Sequence, residues 1–294
     1  MIRKIGDSTK LRWIAVAALL GGLLWSYWPT LSELWAFWQL NPDYSVGQLV
    51  PLVAVYLVWA DRKALRKLPV RVCWWGLGVV LSAQAVRLFG LLYMYGSLER
   101  YSLVLTVGGT ALLVFGYAAV RRLIYVFAFL MLMVPLPNRV HNDLALPLQN
   151  FAANSAVFGL ELLGYLVDRR GNVLRLSDQT AVAVAEACSG LRMLTAFVVV
   201  AATLAFVVRR PPWQKAVVVL SSLPVAILAN TLRLIATVLL YESAGSQVAE
   251  RFFHDFAGLT MMPFAIVVLM AELWMIRRLS MGATGASVPA GEPA

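Results

Sequence analysis

Long apolar stretches separated by short polar segments run along most of the chain. A membrane-spanning helix needs roughly 20 mostly apolar residues, with about 17 as a lower limit. Eight stretches meet or approach that length, and we predict that each is a transmembrane helix. They are the segments 12–29, 46–60, 72–94, 102–120, 123–136, 191–208, 214–241 and 259–276. The pattern therefore predicts an all-α polytopic membrane protein with about eight spans.

The basic residues favour one side of this topology. With the N-terminus inside, the predicted inner segments hold 16 of the 25 Lys and Arg residues and the outer segments hold six. Such a bias is the usual mark of cytoplasmic loops. A ninth apolar segment, 144–166, carries several polar residues, and if it crossed, the basic pair Arg209 and Arg210 would move outside. We therefore place both termini in the cytoplasm and predict that 144–166 is an amphipathic or re-entrant helix on the outer side.

The outer segment 137–187 is the longest one outside the spans. Gly171-Asn172 is a typical turn pair. The segments 173–176 and 180–186 have strand character, the second with alternating apolar positions. We predict a small β-element there. The rest of the organisation is simple, with a single transmembrane domain over 1–279 and a disordered tail rich in Gly, Ala and Pro over 280–294.

Composition agrees with a membrane protein, because 61% of the residues are hydrophobic and 14% are charged, against about 25% charged in soluble domains. The net charge of +10 comes from basic loops between apolar runs, so we expect membrane lipids and no nucleic acid as partners. Two cysteines make no disulfide framework. Two distant histidines make no zinc site, and we expect no metal and no cofactor.

Segment 186–192, with the sequence EACSGLR, places a thiol between two charged groups. Cys188 falls at the outer, N-terminal end of the sixth span, where the helix dipole stabilises a thiolate. Glu186 precedes it, and Arg192 follows one helical turn later. A lone cysteine in a membrane protein is also often a small buried residue, and the sequence leaves that alternative open.

Two later segments carry polar groups at a similar depth. Asn230 and Arg233 are three residues apart in the seventh span and therefore share a face. Intramembrane arginines usually face a polar cavity, although Arg233 could also extend toward the outer headgroups. His254 lies in the outer loop before the eighth span, and a loop histidine is often only solvated. Cysteine with histidine is the minimum for thiol nucleophilic catalysis, and an arginine can stabilise an oxyanion.

Three motifs in this order resemble those of the exosortase/archaeosortase family: 186–192 (EACSGLR), 230–233 (NTLR) and 253–258 (FHDFAG). The outer segment 41–47 (NPDYSVG) also looks like a family feature. Val46 stands where many exosortases have histidine, so the chain is divergent from the commonest subtype.

The resemblance implies a membrane cysteine transpeptidase of the cytoplasmic (inner) membrane, with its active site on the extracytoplasmic side. The substrate would be the C-terminal sorting signal of an exported protein, a short motif followed by a transmembrane helix and a basic end. By this resemblance Cys188 is the nucleophile, His254 the general acid and base, and Arg233 the electrophilic residue. Glu186, Arg192 and Asn230 would support them or bind substrate, and a lipid or surface polymer would accept the product.

Two alternatives remain open in the sequence. An intramembrane cysteine protease would use the same residues but release its product to water. A transporter would line a pathway with the intramembrane charges Arg87, Arg233 and Glu272, although Arg87 and Glu272 could equally be structural partners of nearby polar groups.

Overall fold

Helices form nearly all of the structure, as the apolar stretches predict. The computed structural model describes residues 3–171, 173–176, 181–183, 190–208, 211–245, 247–249 and 261–284. The chain packs as two compact units, Met1–Pro137 and Asn138–Ala294.

All regular secondary structure in the described residues of the first unit is helical. Its elements are α1 (Arg3–Leu40), a 3-10 helix (Pro42–Gln48), α2 (Leu49–Ala60), α3 (Arg62–Leu65), α4 (Trp75–Leu92), α5 (Gly96–Phe115), α6 (Tyr117–Leu130) and a second 3-10 helix (Met131–Met133). Helices α4 and α5 are close neighbours because α4 buries only small residues, Gly76, Ala83 and Gly90, spaced seven apart on one face. A Cβ at Gly76 would lie 2.7 Å from the carbonyl oxygen of Gly109. Small residues allow helix backbones to approach this closely in membranes.

Residues predicted on the same side of the membrane contact each other in this unit. At the predicted inner end, the Arg122 guanidinium donates to both carboxylate oxygens of Asp61, at 2.5 and 2.7 Å. At the predicted outer end, Trp38 Nε1 donates to the carbonyl oxygen of Met133 at 3.1 Å. These contacts agree with the predicted alternation of the helices between α1 and α6.

The second unit combines helices with a small sheet. Its elements are α7 (Asn138–Leu162), β1 (Asp168–Arg170), β2 (Val173–Arg175), β3 (Ala181–Ala183), α8 (Gly190–Val207), α9 (Pro212–Ala244) and α10 (Met261–Thr284). The sheet is antiparallel in the order β1-β2-β3, with Arg170 opposite Val173. Gly171, in the turn between β1 and β2, has a φ of +62°, which glycine adopts without strain. This confirms the β-element and the turn at Gly171, whereas the sequence did not predict β1.

The polar residues of 144–166 hold the sheet. In β1, Arg169 donates to the side-chain oxygens of Asn150, at 2.8 Å, and Asn154, which lie one turn apart on α7. Leu174 of β2 is fully buried in a cluster with Leu160 of α7 and Leu234 of α9. One face of α7 therefore binds the sheet, which explains why this helix is less apolar than its neighbours.

Each of the eight predicted spans overlaps a helix in the described residues, which confirms an all-α polytopic membrane protein. The predicted span 102–120 crosses the break at Gly116 between α5 and α6. In the part of the chain that the structure describes, five helices are long and apolar enough to cross a membrane, or six if Tyr117–Met133 and Asn138–Leu162 form one span. A shorter apolar segment, Pro263–Ile276, belongs to α10. The total of eight spans and the side of each terminus stay predictions. Helix α10 ends at Thr284, inside the predicted tail, and residues 285–294 lie outside the described part.

Candidate active site

Helices α8, α9 and α10 pack together through two layers of buried residues. One layer contains Met193, Ala229 and Ala265. The other contains Ala201, Val218 and Leu269. From the first layer to the second, residue numbers rise in α8 and α10 but fall in α9, so α9 runs antiparallel to the other two. The N-termini of α8 and α10 therefore lie at the same end of this three-helix group, beside the C-terminal half of α9.

Asn230 and Arg233 lie in that half of α9 and are both buried, with 2% and 4% of their surface exposed. Arg233 Nη2 donates to Asn230 Oδ1 at 3.1 Å. The prediction that the two residues share a face directed inward is confirmed. A guanidinium that reached the headgroups would be exposed, so the alternative for Arg233 does not fit the structure.

Thr237 continues the same face by one turn and is fully buried. Its hydroxyl donates to the carbonyl oxygen of Arg233 at 2.8 Å. Tyr241, a further turn along, packs against the cluster that contains Leu174 of the sheet. The face that carries Asn230 and Arg233 thus extends toward the β-element.

Gly190, the first residue of α8, lies against Asn230. A Cβ on Gly190 would be 3.2 Å from Asn230 Nδ2, which is tight. Both residues border a small cavity between α7, α8 and α9, where the space open to the centre of a water molecule is about 10 Å³, or room for about one water. The sequence did not predict this contact, although a glycine within the motif 186–192 was a sign of close packing.

Three of the six predicted site residues belong to the described part of the chain. Asn230 and Arg233 are in contact, and Arg192 is half-buried in the first turn of α8. Glu186, Cys188 and His254 lie outside the described residues, so their roles stay predictions.

The other two intramembrane charges each have a partner within their own unit. Arg87 Nη1 and Nη2 donate to Oγ and the carbonyl oxygen of Ser26, both at 2.6 Å, and the guanidinium lies 4.2 Å from the centre of the Tyr27 ring. Glu272 accepts a hydrogen bond from Ser221 Oγ at 2.7 Å. These contacts favour a structural role for Arg87 and Glu272 over a transport pathway.

The outer motif 41–47 packs inside the first unit. A Cβ on Gly47 would lie 2.6 Å from Nε1 of Trp38, the indole that donates to Met133. Val46 is buried, with 5% of its surface exposed. In this chain the motif therefore joins the end of α1 to the second 3-10 helix.

The fold and the buried Asn–Arg pair define a mainly helical, multi-pass membrane protein with a polar centre in its second unit. Residues 38–271 match the family model described as transmembrane exosortase, and this range contains every predicted site residue. The chain belongs to the exosortase family. Neither curated proteins nor solved structures give a match.

Proposed function

We propose that this protein is a membrane cysteine transpeptidase that processes the C-terminal sorting signals of exported proteins. Family membership suggests a membrane transpeptidase or sorting role. The observation that carries the proposal for this chain is the contact of Gly190 with Asn230, which itself binds Arg233. Gly190 is two residues after Cys188, and two residues of fully extended chain span at most about 7 Å.

In the proposed reaction the Cys188 thiolate attacks the peptide carbonyl beside the sorting motif. The C–N bond breaks, a thioester forms, and the amine of the released segment takes the proton that His254 first accepted from the thiol. An acceptor nucleophile then attacks the thioester, which transfers the acyl group and returns Cys188 to its thiol form. No net oxidation or reduction occurs.

Arg233 would stabilise the negative charge that develops on the carbonyl oxygen. Preorganised donors in a water-poor site are worth far more than donors in water. A guanidinium carries five N–H donors in a rigid plane, so the bond to Asn230 sets the orientation of that plane. Asn230 is thus a positioning residue, and Glu186 would likewise support the catalytic residues. Arg192 would assist thiolate formation or bind the substrate.

The test is processing of a secreted reporter that carries a candidate sorting signal from the same genome, co-expressed with the full chain. Cys188→Ala should abolish processing without reducing the amount of protein in the membrane. Cys73→Ala is the matched control, because it removes the other cysteine, and it should process normally. Wild-type processing by Cys188→Ala would refute the proposal.

Mass spectrometry of the new C-terminus identifies the acceptor. An added group on the reporter supports transfer, whereas a free carboxylic acid would establish hydrolysis and reduce the proposal to a cysteine protease. Labelling of Cys188 by a membrane-impermeant thiol reagent from outside tests the proposed extracytoplasmic location.

A further inference from the structure

A long apolar groove lies between α2, α5 and α6 of the first unit. Its volume is about 740 Å³, within the range of roughly 300–1,000 Å³ that is typical of small-molecule sites. Its lining residues all fall between Pro51 and Leu130, and most are aliphatic or aromatic, among them Val58, Phe115, Leu123 and Phe127.

The groove has the length of one membrane leaflet. Its wall on α6 extends from Ala119 to Leu130. At a helical rise of 1.5 Å per residue, these eleven residue steps give the groove a length of about 16 Å. The hydrocarbon core of a bilayer is about 30 Å thick, so the groove covers about half of it. An acyl chain of a single leaflet would fit this length.

Positive charge borders one end of the groove. Arg62 and Arg66, just beyond α2, both contribute to its lining. Arg62 is half-buried, and its guanidinium lies 3.8 Å from the centre of the Trp59 ring, while Arg66 is exposed. The adjacent carboxylate, Asp61, is already bound to Arg122 through both oxygens. The mouth of the groove therefore keeps a positive charge that suits an anion.

We propose that this groove binds an anionic phospholipid, with an acyl chain along α2, α5 and α6 and its phosphate at Arg62 and Arg66. Trp59 marks the headgroup level, where tryptophan is enriched. Basic pockets between helices on the cytoplasmic side bind anionic headgroups, and the predicted topology puts Arg62 on that side. A peptide helix with a basic end would meet like charge here, which favours a lipid over such a peptide.

Quenching of Trp59 fluorescence by brominated lipids tests the proposal. The full chain is placed in phosphatidylcholine vesicles with a small fraction of either brominated phosphatidylglycerol or brominated phosphatidylcholine. The difference between wild type and Trp59→Phe isolates the signal of this one tryptophan. We expect brominated phosphatidylglycerol to reach half-maximal quenching at a lower mole fraction than brominated phosphatidylcholine. The difference in mole fraction should be about fivefold for each arginine that contacts the phosphate.

Arg62→Gln/Arg66→Gln should abolish this preference. The matched control is Lys63→Gln/Lys67→Gln, which removes the same charge from the same segment at exposed positions that do not line the groove, and it should keep the preference. Arg66→Gln alone alters only an exposed side chain and should weaken the preference without affecting folding.

Three results would overturn the proposal. Equal quenching of wild type by the two brominated lipids would mean that the groove holds bulk lipid without headgroup selection. Equal loss in the arginine and lysine variants would assign the preference to general surface charge. Absence of quenching by either lipid would mean that protein covers the groove, either a second copy or a peptide helix.

Discussion

Replacement of Asn230 by leucine tests how Arg233 is held in the second unit. The two side chains have the same number of heavy atoms, so Asn230→Leu leaves little cavity and mainly removes the acceptor of the 3.1 Å hydrogen bond from Arg233. Both residues are buried, at 2% and 4% exposure. Bulk water is therefore excluded from this hydrogen bond, and the cavity that Asn230 borders has room for only about one water molecule.

The expected cost follows from that burial. A hydrogen bond to a charged group contributes about 1.5–3 kcal/mol, and a buried donor left without its acceptor adds a desolvation penalty. We expect Asn230→Leu to lower the free energy of unfolding by about 2–3 kcal/mol. At roughly 2–4 °C per kcal/mol, the midpoint of thermal unfolding should fall by about 4–12 °C.

Thermal unfolding of the purified full chain in lipid nanodiscs measures this change. Thr237→Val is the matched control, because Thr237 is equally buried one turn further on the same face. Its hydroxyl bonds to the carbonyl oxygen of Arg233 within the helix, and an ordinary hydrogen bond contributes about 1 kcal/mol. The loss for Asn230→Leu should clearly exceed the loss for Thr237→Val.

Asn230→Asp tests whether the side-chain oxygen alone, without the amide NH2 group, is enough to hold Arg233. It keeps an oxygen for Arg233 and should retain most of the stability that the leucine variant loses. If Asn230→Leu is no less stable than Thr237→Val, then the Asn230 amide does not hold Arg233, and the positioning role proposed for it is wrong. Reporter processing should fall in parallel with the loss of that hydrogen bond.

Two further predictions concern packing. Gly76→Val should separate α4 from α5, because a Cβ there would be 2.7 Å from the Gly109 carbonyl oxygen. It should lower the unfolding midpoint far more than Gly78→Val, where nothing lies within 4 Å of the added Cβ. Equal effects would show that the cost is only that of a β-branched residue in a helix. Arg169→Gln should release the sheet from α7 and speed proteolytic cleavage between residues 163 and 183. Arg170→Gln, which loses only an exposed ion pair with Asp168, should leave the cleavage rate unchanged. Identical cleavage rates in the two variants would contradict the anchoring role of Arg169.

Much of the helical fold could be predicted from local properties. The length of an apolar run measures the bilayer thickness that it can span, which is why each predicted span overlaps a helix. Loop charges predict the orientation, which stays a prediction. The predicted strands 173–176 and 180–186 contain β2 and β3 because alternation and a turn glycine act over a few residues. β1 was not predicted because its sequence, DRR, has no apolar alternation, and its pairing partner lies beyond the turn.

The candidate site could be predicted in part for a similar reason. Helical spacing alone puts Asn230 and Arg233 on one face, and the structure confirms their contact. The contact of Gly190 with Asn230 joins residues 40 positions apart, which no local pattern contains.

What the sequence by itself determined is which segments are helical, which polar residues interrupt them, and the family to which their motifs belong. Tertiary structure alone decided what those polar residues touch. It turned Asn150 and Asn154 into anchors for the sheet, gave Arg87 and Glu272 local partners, and left a groove with two arginines at its mouth. The physical reason is that hydropathy is a property of single segments, whereas a hydrogen bond or a groove depends on the distance between segments that are far apart in the chain.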